Sequence, residues 1–573
     1  MKDKHTANSK GKRHITIWQQ NINKSCTCQH DLISSRKLLE KGIDIVALQE
    51  PAVNAFNKTI ASREWKVVYP STHAKDPGKT RTLILIRDDL LTDRWEQLEF
   101  MSGDVTEIKL QGEWGKLTLF NIYNDCKHND TISALTKYHS KHAEEIMGTV
   151  ETQGTPHLLW LGNFNRHHPY WDVPENNALF TREATDQAEL LIQSLAEVGL
   201  EMALEVGIPT HEHYVTKRWS RLDHVFSMEH TIEAITRCEV ISDEQGANSD
   251  HFPIITELDL EMAIVKRMET RNFKVVNWKE FQEKLEKRTS KRGVPNFIRT
   301  QDELNRICGE LTSALQEMIA EVVPKTQIGP HAKRWWTKEL TELRQVMLQS
   351  RRKASKLHHE PENPHWERFK EARRKLGSEI VKAKRNHWRD WLEKSTDLDL
   401  WTVHRYVTAP AGDRGKTRIP DLAVTTENGS SRARNNEEKG QMLAKVFFPQ
   451  KLETHKMSMQ QEPEEEPVCK ADAITKDQIK RALARLKPYK APGPDSIPNI
   501  VLIRCTDVLI DRLWYIYTAI WDRNMYYAPW KEFTTVVLRK PGKPRYDTPK
   551  AYRPIALLNT LVSRYNGSWL DSA

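Results

Sequence analysis

The first 260 residues predict a mixed α/β domain, on two observations: short apolar runs bounded by turn residues, and helical periodicity in several of the stretches between them. The runs are His14 to Trp18, Ile43 to Gln49, Thr82 to Ile86, Leu117 to Tyr123, His157 to Leu161 and Leu222 to Phe226. Each is short and rich in Ile, Leu and Val, the length and composition of a buried strand. Ser34 to Lys41, Thr131 to Thr149 and Thr185 to Val198 carry the helical spacing.

The character changes after Leu260. Trp366, Phe369, Ala372, Leu376, Ile380, Ala383, His387 and Trp391 recur at steps of three or four, one face of a long helix. Trp335 and Trp336 introduce a similar pattern, so 261–405 reads as a basic helical connector. From His331 to Lys394 there are 18 Lys and Arg against 9 Asp and Glu, a surplus equal to the +9 of the whole chain. Two readings stay open there: tryptophans that pack a helix pair beneath a solvated basic face, and a basic-aromatic surface that grips single-stranded nucleic acid by stacking.

Thr408 to Asn435 is rich in Pro, Gly, Ser and Thr, and Glu462 to Pro467 is acidic and proline-bounded. Both predict linkers, so 406–472 is read as a partly disordered linker and 1–12 as a flexible N-terminus. A last globular pattern starts at Ile474, which makes 473–573 the final unit. With 573 residues and a mean hydropathy of −0.67, the chain suits several packed units joined by long solvated helices.

The seven cysteines, Cys26, Cys28, Cys126, Cys238, Cys308, Cys469 and Cys505, are odd in number and lack zinc-ligand spacing. That fits reduced thiols in an intracellular protein. The Lys-rich start has no apolar core of a signal peptide, and no run reaches about 18 consecutive apolar residues, so neither secretion nor a membrane partner is expected.

Polar residues collect at the ends of the predicted strands, where an α/β sheet displays its reactive groups. In order they are Trp18-Gln-Gln-Asn21, Ala47-Leu-Gln-Glu50, Asn121-Ile-Tyr123-Asn124, Leu161-Gly162-Asn163-Phe164-Asn165, Arg221-Leu-Asp223 and Ser249-Asp250-His251. Phosphodiester hydrolysis needs a hard cation, a base or orienter for water, and donors for the phosphate. Glu50 and Asp250 are candidate Mg²⁺ ligands, with Mn²⁺ as the alternative ion. His251 beside a carboxylate such as Asp223 can clamp phosphate when protonated or orient the attacking water. Asn21, Asn165 and Tyr123 can donate to phosphate without adding negative charge.

That ordered set resembles the endonuclease/exonuclease/phosphatase superfamily, and most of all the apurinic-endonuclease-like domain of non-LTR (LINE-like) retrotransposon proteins. It covers residues 12–260 and includes Gly162-Asn-Phe-Asn-Arg-His-His-Pro-Tyr-Trp-Asp172 and Ser220-Arg-Leu-Asp223. The resemblance implies a four-layer α/β/β/α sandwich and metal-dependent nicking of DNA that leaves a 3′-hydroxyl primer for reverse transcription. It implies Glu50 as metal ligand, and Asp223 with His251 as the paired base or orienter. Tyr123, Asn21 and Asn165 would hold the scissile phosphate, Asn124 is a further candidate substrate contact, and a nuclear location would bring the domain to chromosomal DNA.

One position departs from the pattern. The family box is Gly-Asp-x-Asn, and here Asn163 replaces the acid. An amide neither exchanges a proton as a carboxylate does nor adds charge toward a cation, and general acid–base help is worth about 10²–10⁴-fold. Two outcomes follow: an impaired DNA endonuclease, or a catalytically dead nucleic-acid-binding remnant of a retroelement.

Past Ile474 a helix is predicted over Asp477 to Leu486. A proline-stiffened loop follows, Lys487-Pro-Tyr-Lys-Ala-Pro-Gly-Pro-Asp495-Ser-Ile-Pro-Asn499, and then a strand over Thr534 to Leu538. The loop, Lys540-Pro-Gly-Lys543 and Tyr552-Arg-Pro-Ile555 resemble the fingers of a non-LTR reverse transcriptase, with Ser496 where glycine is usual. The resemblance adds retroelement RNA as a partner. No polymerase aspartate hairpin appears before Ala573, so this reads as an incomplete reverse-transcriptase fingers fragment without polymerase activity.

Overall fold

The computed structural model describes residues 10–563 apart from 35–36, 63, 148–153, 173–179, 214–217, 247–248, 266–270, 291–296, 326–334, 357–362, 397–399, 402–403, 405–418, 427–428, 450–472, 541–542 and 544. The chain divides into two units, 1–267 with 328–418, and 268–327 with 419–573.

In chain order the first unit contributes β1 (Lys10–Asn21), α1 (Cys26–Ser34), α2 (Lys37–Glu40), β2 (Ile45–Gln49), β3 (Trp65–Val68), β4 (Thr82–Arg87), β5 (Trp95–Gln97), β6 (Val105–Gly112) and β7 (Gly115–Tyr123). Then come α3 (Asp130–Lys141), α4 (Ala143–Met147), β8 (Thr155–Asn163), α5 (Arg182–Val198), β9 (Glu201–Met202), β10 (His211–Glu212), β11 (Trp219–Ser220), β12 (Asp223–Ser227), α6 (Glu229–Ala234), β13 (Ile235–Val240) and β14 (Ile254–Val265). One six-stranded sheet has the order β13-β14-β1-β2-β4-β3 and the other β5-β6-β7-β8-β12-β9. The pairs β1/β2 and β7/β8 are parallel and their remaining neighbours antiparallel.

Alternation along each strand builds the layers. Ile45 and Ala47 of β2 face inward with Ile84, Ile86, Leu117, Leu119, Leu159 and Leu161, forming the core between the sheets. Val46 and Leu48 face outward beneath Ile33 and Leu38 of α1 and α2. On the other side Phe120, Ile122, Leu158 and Trp160 are covered by Ile132 and Leu135 of α3 and Ala188, Leu191 and Leu195 of α5. The result is the four-layer α/β/β/α sandwich the resemblance implies.

The sheets hold more strands than the sequence predicts. β6, read as Val-Thr-Glu-Ile-Lys-Leu-Gln-Gly, mixes polar and apolar residues, and β14 carries acids on its outer face, so neither shows an apolar run. β14 extends to Val265 and pairs there with Lys10, so the expected boundary at 260 cuts a strand and residues 10–12 belong to β1 rather than to a flexible tail.

The single connector 261–405 is also corrected. Its first half supplies α7 (Trp278–Ser290) and α8 (Gln301–Val322) to the second unit, because Phe281, Leu285, Leu311 and Leu315 share a core with Leu483, Leu509, Leu513 and Ile516. Its second half forms an antiparallel pair, α9 (Lys338–Lys356) and α10 (Pro364–Glu393), within the first unit. Leu340 and Met347 meet Phe369, Leu376 and Ile380, with Trp335, Trp336 and Trp366 packed alongside. Those tryptophans therefore pack the pair, whereas Trp388 is exposed and stacks on Trp391, with ring centroids 5.0 Å apart.

Part of the expected linker is ordered too. Leu422–Thr426 and Gly429–Ala433 form a hairpin, followed by a helix over Asn436–Phe447, while Glu462 to Pro467 lies outside the described residues. In the same unit Phe533–Arg539 pairs with Tyr552–Leu558. Ser496 has φ +58°, the left-handed backbone for which glycine is the natural occupant. Among the described residues no helix is long and apolar enough to cross a membrane.

Candidate active site

The strand register brings the polar boxes to one end of the sandwich. Asn21 pairs with Gln49 at the ends of β1 and β2, and Tyr123 pairs with Asn163, which in turn faces Asp223. Two polar bridges cross the apolar core just behind that end: Gln49 Nε2 donates to Asn121 Oδ1 at 2.5 Å, and Gln19 Nε2 to the Gly162 carbonyl at 3.1 Å. Asn121 in turn donates to the carbonyls of Leu48 and Leu83 at 3.0 and 2.8 Å. A buried amide without partners is costly, so these bonds lock the mutual register of the sheets and fix how the two halves of the site meet.

At its centre Asp223 Oδ2 accepts from His251 Nδ1 at 2.7 Å, both side chains being almost wholly buried. That bond fixes the tautomer and leaves His251 Nε2 toward Asp250, 4.0 Å from Oδ1. Burial alone would lower the His251 pKa, but the charges of Asp223, Asp250 and Glu50 outweigh it and raise the pKa. Burial pushes the Asp250 carboxyl up, yet His211 and His251 beside it hold it at about 2. The pair Asp223 and His251 is positioned by Thr210, whose Oγ1 accepts from the backbone N–H of Leu222 and Asp223 at 3.1 and 3.0 Å.

Glu50 sits just beyond β2 with φ +45°, a left-handed conformation that costs a non-glycine residue roughly 1 kcal/mol. Two bonds hold it there: its N–H donates to the Arg81 carbonyl and its carbonyl accepts from Lys24 N–H, each 2.8 Å. The Tyr123 hydroxyl hydrogen-bonds Glu50, and burial, then the Glu50 charge, push its pKa up. Arg81 lies over the Tyr123 ring at 4.8 Å and binds Asp104 through two nitrogens, at 2.5 and 2.7 Å, and Asp125 through a third at 2.5 Å. Tyr123 is thus held from the ring face and from the hydroxyl.

The amides are placed less uniformly. Gly162 has φ +151°, and a Cβ there would stand 1.9 Å from the Ile122 carbonyl oxygen, which explains the glycine of the Gly-Asn-Phe-Asn box. Asn163 Oδ1 accepts from Asn165 N–H at 3.0 Å, a bond a carboxylate would accept equally well. Asn165, at φ +51°, donates its amide to the Asn124 carbonyl at 2.7 Å. Asn124 itself is fully buried and donates to the Phe164 carbonyl at 3.0 Å, so it orders the loop; the expected substrate contact is corrected. Asn21 is likewise buried, with Oδ1 accepting from Asn23 N–H.

Sequence reasoning missed Arg81, Thr210 and His211. It also leaves Arg166 and Arg221 without a role, and both are buried clamps: Arg166 binds Asn129 and the carbonyls of Asp125, Asn165 and His128, and Arg221 the carbonyls of Leu204 and Glu205. His211 is brought to the site from β10, with Nε2 3.7 Å from Asp250 Oδ2. The donor chemistry suits a divalent cation, since Asp250 is anionic and its Oδ1 is buried with no hydrogen-bond partner. Among the described residues the group able to surround one ion is His211, Asp250 and His251; Glu50 stands outside it.

The four-layer sandwich, with carboxylate, imidazole and amide groups at one strand end, has the fold class of AP-endonuclease-like nucleases. Residues 117–255 match the family model described as endonuclease-reverse transcriptase. The chain is homologous to non-LTR retrotransposon polymerases: it is 24% identical over 444 residues to a probable RNA-directed DNA polymerase from transposon BS of Drosophila melanogaster, across 75% of this chain and 46% of that protein. The corresponding polymerase from mobile element jockey of Drosophila funebris is 26% identical over 172 residues, 29% of this chain and 18% of that one. The chain thus spans less than half the length of either relative. Among solved structures, the endonuclease domain of TRAS1, a telomere-specific non-LTR retrotransposon, aligns with 43% of this chain and 98% of itself at 19% identity and a TM-score of 0.34. An AP endonuclease from Archaeoglobus fulgidus aligns with 43% and 99% at 17% identity and a TM-score of 0.32.

Proposed function

We propose that the nuclease domain hydrolyses a DNA phosphodiester with the help of a divalent cation, leaving a 3′-hydroxyl that primes reverse transcription, and that Asn163 makes it slow. The buried Asp223–His251 pair, 2.7 Å apart and aimed at Asp250, carries this reading. A buried carboxylate that orients an imidazole toward a cleft is a general device for activating water or holding a phosphate oxygen.

Glu50 and Asp250 would hold Mg²⁺ or Mn²⁺, and such an ion supplies Lewis-acid neutralisation of the phosphate oxygens. Asp223 orients His251, whose Nε2 meets the attacking water or a phosphate oxygen. The neighbouring Asn165 donates to the phosphate, as does the Tyr123 hydroxyl once Glu50 turns from it to the ion, and Arg81 keeps Tyr123 in place. Work on chromosomal DNA puts the domain in the nucleus.

Asn163 favours a second reading, a nucleic-acid-binding remnant without catalysis. Supercoiled-plasmid nicking by the full chain in Mg²⁺ separates them. Nicking that a chelator and Glu50→Gln both abolish supports the enzyme; no nicking at any enzyme concentration, with DNA binding retained, supports the remnant.

A further inference from the structure

His211 takes no part in the chemistry above, yet the fold fixes it beside Asp250 with care. Its backbone bridges that of His251, Glu212 N–H donates to the Asp250 carbonyl at 2.9 Å, and Phe252 N–H donates to the Thr210 carbonyl at 2.7 Å. Two short segments about 40 residues apart in sequence are therefore locked side by side. Their imidazoles lie against one another at an interplanar angle of 54°, with ring centroids 4.7 Å apart.

We propose that His211, Asp250 and His251 bind one borderline divalent transition-metal ion, of the Zn²⁺, Co²⁺ or Mn²⁺ kind, in preference to Mg²⁺. The ligand atoms already converge. His211 Nε2 lies 3.7 Å from Asp250 Oδ2 and His251 Nε2 lies 4.0 Å from Oδ1, and the whole set falls within 4.8 Å. Ligands about 2.1 Å from an ion stand roughly 3–3.5 Å apart, so closure takes only a small side-chain shift.

The outer partners are those a metal-binding histidine needs. His251 Nδ1–H donates to Asp223, and His211 Nδ1 is 2.9 Å from Ser220 Oγ, to which it donates when Nε2 carries the lone pair. Each imidazole is thus held with Nε2 directed at the carboxylate. Asp250 Oδ1, buried and without a hydrogen-bond partner, supplies the third ligand. Two imidazoles and one carboxylate leave positions open for water, and imidazole nitrogen favours borderline ions over Mg²⁺, which takes oxygen ligands. Asn163, an amide, adds no carboxylate to shift the balance back.

The ion takes up His251 Nε2 and Asp250, which the nuclease reading gives to water or phosphate and to Mg²⁺, so it describes the DNA-free state, and it is tested without DNA by a readout other than nicking. The metal-free full chain is titrated with Co²⁺ and followed by visible absorption, with Mg²⁺ as competitor. The expected result is one equivalent bound, with ligand-field bands but no thiolate charge-transfer band, and no displacement by roughly 100-fold excess Mg²⁺. His211→Gln weakens binding roughly 10–100-fold and Ser220→Ala roughly tenfold. Circular dichroism and melting confirm that each variant is folded, and the conservative Ser220→Ala carries the test if His211→Gln is not. Binding that is absent, unaffected by both variants, or displaced by equimolar Mg²⁺ overturns the proposal.

Discussion

Arg351 of α9 reaches Glu212 of β10 at 2.7 Å in an ion pair almost wholly buried, with side-chain exposures of 2% and 3%. The guanidinium also lies over the rings of Trp366 at 4.8 Å, Phe369 at 5.3 Å and Phe252 at 5.4 Å. One residue of the helix pair thus touches the neighbours of both His211 and His251. The pair belongs to the first unit and buttresses the end that carries the candidate site, and Arg344 with Asp31 and Arg352 with Asp243 add further ion pairs from α9.

Removing one partner of such a pair leaves a buried charge. Arg351→Ala is expected to destabilise the nuclease unit by about 3–5 kcal/mol in urea unfolding, whereas Arg351→Leu combined with Glu212→Leu recovers most of that loss. Equal losses in the single and double variants would show that the pair has no such role.

Arg81 is expected to act through Tyr123. Arg81→Met removes the paired bonds to Asp104 and the cation over the Tyr123 ring, with a stability loss of about 1–3 kcal/mol. Nicking should fall roughly tenfold in kcat with KM little changed, since positioning rather than binding is lost. A rise in KM alone would point to direct DNA contact.

Acid should weaken the nuclease unit. Burial lowers His139 and His157 to about 4 in the folded state, while the unfolded chain titrates near 6.5. Between those values the unfolded state binds the extra protons, so stability is full above about 6.5, falls as pH drops, and levels off below about 4. Each histidine contributes up to about 3 kcal/mol to that loss. His139 Nε2 accepts from Trp160 Nε1 at 3.0 Å, a bond that protonation there would break. Melting curves from pH 7.5 to 4.5 check the slope, and His139→Gln with His157→Gln should flatten it.

What could be read without coordinates follows burial. β2 and β4 are covered on both faces and show as continuous apolar runs, and the core-facing stripe of α10 shows as steps of three and four. β6 escapes because buried Thr106 and Glu107 interrupt its pattern. The boxes around Glu50, Tyr123, Asp223 and Asp250-His251 were legible because each ends or begins a strand. His211 was not, since β10 is two residues long and its tie to His251 is a single long-range bridge. Asn124 misled for the converse reason: its place beside Tyr123 at a strand end suggested exposure, and only the packing of the Phe164 loop shows it enclosed.

In the proposed function one amide, Asn163, slows the site. Asn163 is buried and its one described side-chain bond, to Asn165 N–H, survives in an aspartate, so Asn163→Asp should fold normally. The direct measurement is the plasmid-nicking rate of Asn163→Asp against the unaltered chain and against Asn163→Asp with His251→Ala. Asn163→Asp is expected to gain about 10²–10⁴-fold, and the added His251→Ala to remove that gain. No gain, or a gain that persists without His251, would contradict it.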